Sequence, residues 1–121
     1  MKKNPIKEKS FKFSVRIIKL SKWLKDKNHF ELSQQLVRAG TSIGANVEEA
    51  IAGQSRKDFI AKMSIASKEA RETNYWLRLL VESGIVSEKM CNSLMNESEE
   101  LIKLLTSIVK TCKENENPKN N

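Results

Sequence analysis

The sequence predicts an all-α protein, an antiparallel up-down-up-down four-helix bundle that assembles as a homo-oligomer. Three observations carry this. Apolar residues recur at alternating spacings of three and four over long stretches. The breaks between those stretches are short, which makes consecutive helices antiparallel neighbours. Two helices also carry an apolar line beyond the one a single bundle buries. At 121 residues the chain fits one domain with a core that needs no disulfide. With 39% hydrophobic and 31% charged residues, two prolines and four glycines, it suits a helical soluble protein.

Residues 1–9 read as a flexible basic arm, and the bundle spans residues 10–113. The first helix is expected over about 10–27, with Ser10 as N-cap. Phe13, Ile17, Leu20 and Leu24 form its core line, and Phe11, Val15 and Ile18 lie on another side. The second helix, about 31–52, carries Leu32, Leu36, Ile43 and Val47, with Gly40 in the same seam. Gly53 is expected to end it in the left-handed region. The third, about 55–83, begins at Ser55 with Asp58 three residues on. Its seam runs Phe59, Met63, Ala66, Ala70, Thr73, Leu77 and Leu80, and Gly84 stops it. The fourth, about 87–113, begins at Ser87 and runs Cys91, Leu94, Ser98, Leu101, Leu105, Ile108 and Cys112. Residues 114–121, polar throughout, read as a disordered tail.

Glycine inside a helix costs roughly 1 kcal/mol relative to alanine, so Gly40 and Gly44 need a reason. Small residues let helix backbones approach. Gly40 lies in the seam within the subunit, whereas Gly44 and Ala45 point elsewhere and are read as subunit contacts. On the third helix a second line, Ile65, Glu69, Glu72, Trp76 and Leu79, points to the same interface. The competing reading is a thick core filled by Trp23 and Trp76.

Charge is uneven. Residues 1–27 hold ten Lys/Arg against Glu8 and Asp26, a net +8, while the remainder is −1. Lys9, Lys12, Arg16, Lys19 and Lys22 on the first helix are the expected nucleic-acid-binding residues, and phosphate neutralisation by such a stripe is sequence-tolerant. The rival reading is a scaffold for a protein partner.

Enzyme chemistry finds little support. His29 is the single histidine, so no multi-histidine metal site exists, and no Glu-x-x-His or phosphate loop with its lysine is present. Glu69 and Glu72 are better read as ion-pair partners of Arg38, Arg71 or Arg78 than as metal ligands. No cofactor is implied. Cys91 and Cys112 read as core thiols, reduced in a cytoplasmic protein without a secretory signal or a membrane span.

The stretch QLVRAGTSIGANVEEA resembles a QLxRAxxSIxANIxEG pattern, and DFIAKMSIASKEARETNYWLRLL resembles the helix that follows it. Together, over roughly Phe30 to Gly84, they resemble the 23S rRNA intervening-sequence proteins. The accessory variability determinant of diversity-generating retroelements is similar to that family. The resemblance implies a four-helix bundle, a homopentamer with a basic surface, and, by way of the retroelement relatives, binding of RNA or DNA and of a reverse transcriptase. It maps onto Gln35, Leu36, Arg38, Ser42, Ile43, Asn46 and Glu49, and onto Glu69, Glu72 and Trp76, as structural or assembly positions. One departure is Ala50 where the pattern has glycine, which implies a longer second helix here.

Overall fold

The structure, a computed structural model, describes residues 4–116. The expected arm residues 1–3 and tail residues 117–121 lie outside that range. Four helices and no strand make up the described residues: α1 (Pro5–Asp26), α2 (Phe30–Ala52), α3 (Arg56–Glu82) and α4 (Glu88–Glu116). They pack in a ring in which α2 contacts α1 and α3, and α4 contacts α3 and, more sparsely, α1. The diagonal pairs α1–α3 and α2–α4 make no close backbone contact.

α1 starts five residues earlier than the sequence reading placed it, so Lys7, Glu8 and Lys9 are helical rather than part of an arm. Asn4 is the N-cap and accepts from the Lys7 N–H at 3.2 Å, and Pro5 occupies the first turn. Proline there forfeits only a donor that would be unbonded anyway. Ser10 is instead buried inside the helix and donates to the Lys7 carbonyl. α1 ends at Asn28, which takes a φ of 68°. The His29 N–H reaches the Leu24 carbonyl and the Asn28 N–H the Lys25 carbonyl, both at 2.9 Å, closing a Schellman turn. α3 ends the same way at Gly84, with φ of 78°. Ser55 caps α3 by accepting from the Asp58 N–H, and Ser87 accepts from Met90 at the start of α4. Gly53 departs from expectation: its φ is −66°, so α2 ends without a left-handed residue. The helix does run past Ala50 to Ala52.

The heptad lines converge on one core. Phe13, Ile17, Leu24, Leu36, Ile43, Met63, Leu77, Leu101 and Leu105 are buried together, and Trp23 and Trp76 are half-buried against them.

The small residues of α2 face α1. A Cβ added at Gly40 would lie 2.6 Å from Ile17 Cγ2, and one at Gly44 would lie 3.4 Å from the Ser10 carbonyl oxygen. Ser14 donates to the Gly40 carbonyl at 3.3 Å, and Ser33 donates to the Ser21 carbonyl at 2.7 Å. Gly44 is therefore corrected from a subunit contact to a contact within the chain. It is buried against α1, whereas Ala45 beside it is exposed.

Candidate nucleic-acid interface and the polar faces of the bundle

The lysine stripe of α1 divides in two. Lys9 pairs with Glu100 of α4, and Arg16 Nη1 lies 2.6 Å from Glu97 Oε1 and donates to Ser93 Oγ at 3.0 Å. These pairs close the sparsest side of the bundle. Lys12 lines the same small cavity of about 160 Å³ with Glu97 and Glu100. Glu97 Oε2 is buried there without a hydrogen-bond partner. Lys9 and Arg16 of the five expected binding residues thus have carboxylates beside them. Lys19 and Lys22 are exposed and meet no carboxylate among the described residues. The cause was not visible locally, because Glu97 and Glu100 lie more than 80 positions away in the chain.

The outer side of α1 is also apolar. Phe11 is 60% exposed, Ile18 50% and Val15 40%. Ile18, Lys22, Lys25, Phe30 and Val37 line an open groove of about 700 Å³ between α1 and α2. This is the second apolar line expected of α1, extended onto α2 by Phe30.

On the α2–α3 face the motif residues meet. Arg38 pairs with Glu72 and approaches Glu69 at 3.4 Å, and two of its nitrogens donate to Gln35 Oε1 at 3.3 Å. Trp76 Nε1 donates to Glu72 at 3.0 Å. That hydrogen bond, joined by Arg38, holds the Glu72 carboxyl below its ordinary value, against the upward push of desolvation. Asn46 donates to the Ser42 carbonyl, and Lys62 pairs with Glu49. Glu69 and Glu72 thus tie α3 to α2 within the chain, with Trp76 holding Glu72 from its own helix, while Ile65 and Leu79 remain exposed at 41% and 37%. The expected interface line is in part an intramolecular network.

The charged and hydroxyl groups between α3 and α4 escaped the sequence reading. Arg71 Nη2 donates to Thr106 Oγ1 at 3.0 Å, and Asn74 donates to Ser98 at 2.8 Å.

Among the described residues no group of three or more His, Cys, Asp or Glu side chains is arranged to hold a metal. Among the described residues no helix is long and apolar enough to cross a membrane. Cys91 is buried, its thiol pushed up by desolvation, and both cysteines are free.

No match was found among curated proteins. A crystal structure from Bacteroides thetaiotaomicron, of a protein of unknown function from the S23 ribosomal protein family, is 49% identical. It superposes with a TM-score of 0.84 over 87% of this chain and 98% of that one. The model of the family described as 23S rRNA-intervening sequence protein matches residues 2–107. On that match, which spans most of the bundle, the chain belongs to the 23S rRNA-intervening sequence protein family.

Proposed function

We propose that the protein is a non-enzymatic homo-oligomer of antiparallel up-down-up-down bundles that binds RNA or DNA through the unpaired cations of α1. The antiparallel order is supported by the cross-helix pairs. Ser14 meets Gly40 while Ser21 meets Ser33, and Arg38 meets Glu72 while Glu49 meets Lys62. Arg71 meets Thr106 while Asn74 meets Ser98, and Lys9 meets Glu100 while Arg16 meets Glu97. Numbers rise on one helix as they fall on the next.

Self-association is supported by unlike apolar surfaces on different sides of the bundle. Phe11, Val15, Ile18 and Phe30 lie on the α1–α2 side, and Ile65, Tyr75 and Leu79 on α3. Two different patches meeting between copies make a head-to-tail contact, which gives a ring where the rotation between copies closes and a filament where it does not. A pentamer is the ring the family resemblance favours, and it would multiply the charge of +7 per chain fivefold. Several weak phosphate contacts then act together.

The observation that carries the nucleic-acid reading is the concentration of net charge: +8 in residues 1–27 against −1 elsewhere. Lys12, Lys19 and Lys22 are the α1 cations without an ion pair among the named binding residues. Fluorescence anisotropy with a mixed-sequence oligonucleotide tests it. Lys12→Gln, Lys19→Gln and Lys22→Gln combined should weaken binding and lower its salt dependence. Unchanged affinity removes α1 from the site. If the parent binds no oligonucleotide at low salt, the second reading takes over: a scaffold whose exposed α1–α2 apolar surface takes a protein partner, a reverse transcriptase among the candidates.

A further inference from the structure

The groove between α3 and α4 is lined by cations and hydroxyls with no acid among them. Ser64, Ser67 and Arg71 of α3 and Thr106, Val109, Lys110 and Lys113 of α4 line a volume of about 440 Å³. Three of these seven residues are cations, three carry hydroxyls, and none is acidic. Glu97 and Glu100 answer Lys9 and Arg16, and Glu69 and Glu72 answer Arg38; the α1–α2 groove, which holds Lys22 and Lys25, also holds Asp26. Here neither Lys110 nor Lys113 meets a carboxylate among the described residues, and Arg71 donates only to the neutral Thr106 hydroxyl.

Three like charges gathered in one groove repel each other, and an anion relieves that repulsion. Arginine supplies a fork of donors suited to phosphate oxygens, and lysines act as point charges beside it. Hydroxyls add donors that serve a phosphate and are indifferent to base identity. Ser64 and Ser67 are half-buried, so the floor of the groove is fixed by α3, while Arg71, Lys110 and Lys113 are exposed at its rim.

We propose that the α3–α4 groove is a second binding site for the phosphodiester backbone of a nucleic-acid strand. It lies opposite the α1–α2 groove in the ring of helices, on the α4 side of α3, whereas the line of Ile65 and Leu79 runs with Glu69 and Glu72 on the α2 side. The ligand class rests on the nucleic-acid reading above; the position does not rest on α1.

The test compares two triple variants with the parent: Arg71→Gln, Lys110→Gln and Lys113→Gln, and the α1 set already described. Affinity for a mixed-sequence single-stranded oligonucleotide is read over a salt series. With each cation meeting one phosphate, the groove variant should bind at least tenfold more weakly at low salt. Its log–log salt slope should be shallower by about 2. A charge-keeping variant, Arg71→Lys with Lys110→Arg and Lys113→Arg, should restore the slope, which a merely structural loss would not allow. Circular dichroism checks that each variant is folded. If the groove variant binds as the parent does with the same slope, the inference is overturned, and a weakened α1 variant would still uphold the helix-one reading. If the groove variant is weakened and the α1 variant is not, the helix-one reading falls and the groove stands. A parent that binds no strand at low salt overturns both.

Discussion

Replacing Gly40 and Gly44 in turn by alanine should give opposite results, although both glycines sit in the same helix and face the same neighbour. Alanine in place of glycine gains about 1 kcal/mol of helix propensity at either position. At Gly40 the new Cβ would stand 2.6 Å from Ile17 Cγ2, 2.9 Å from Cγ1 and 3.1 Å from Cβ. Carbon atoms prefer about 3.5–4.0 Å. Ile17 is wholly buried and branched at Cβ, so it has no free rotamer to retreat into. Overpacking of this kind costs about 1–3 kcal/mol, and three close atoms put it in the upper half. The net expectation for Gly40→Ala is a loss of about 1 kcal/mol or more. At Gly44 the nearest atoms would be 3.4 Å away, ordinary contact, so Gly44→Ala should be as stable as the parent or up to about 1 kcal/mol more so. Urea denaturation followed by circular dichroism, at one fixed protomer concentration because assembly shifts the midpoint, measures both. In an Ile17→Ala background the penalty at Gly40 should shrink, since Cγ1 and Cγ2 are gone and only the Cβ at 3.1 Å remains. A Gly40→Ala protein at least as stable as its parent would refute the close-approach argument.

Further outcomes follow from the polar network and the thiols. Because the Trp76 hydrogen bond and Arg38 hold the Glu72 carboxyl below its ordinary value, its contribution is fully present above that value and is lost as pH falls through the folded one. Between about pH 5 and pH 3 the parent should therefore lose more stability than Glu72→Gln, with the difference small because the side chain is about a third exposed; parallel curves would contradict this. Cys91 is buried with a raised thiol pKa and Cys112 is half-buried, so a thiol reagent should modify one cysteine per native chain and the second only after unfolding. Trp76→Asp should weaken the tie between α2 and α3 as well as any subunit contact, so a lowered midpoint in denaturation should accompany a lower mass in light scattering.

The seams were legible because heptad spacing is a local signal, and the caps at Ser55, Ser87 and Gly84 were legible because capping chemistry lies within three residues. The start of α1 was misread because Ser10 and Asn4–Pro5 both look like N-caps, and only burial of Ser10 against α2 separates them. Gly53 looked like a left-handed stop, yet α2 ends in extended backbone. Gly44 was given to the wrong partner because helix phase says which side a residue faces but not which helix lies there. Charge counting along the chain found the basic first segment, but it missed the carboxylates α4 brings to Lys9 and Arg16. It also missed the groove of Arg71, Lys110 and Lys113, whose members are spread over more than 40 positions in a stretch with no net charge.

Nucleic-acid binding is the central claim, and the salt dependence of oligonucleotide affinity for the parent protein tests it most directly. With several phosphates engaged by one assembly, the affinity should fall by orders of magnitude between about 50 and 200 mM salt, linearly on a log–log plot. A flat dependence, or no binding at the lowest salt, would contradict it.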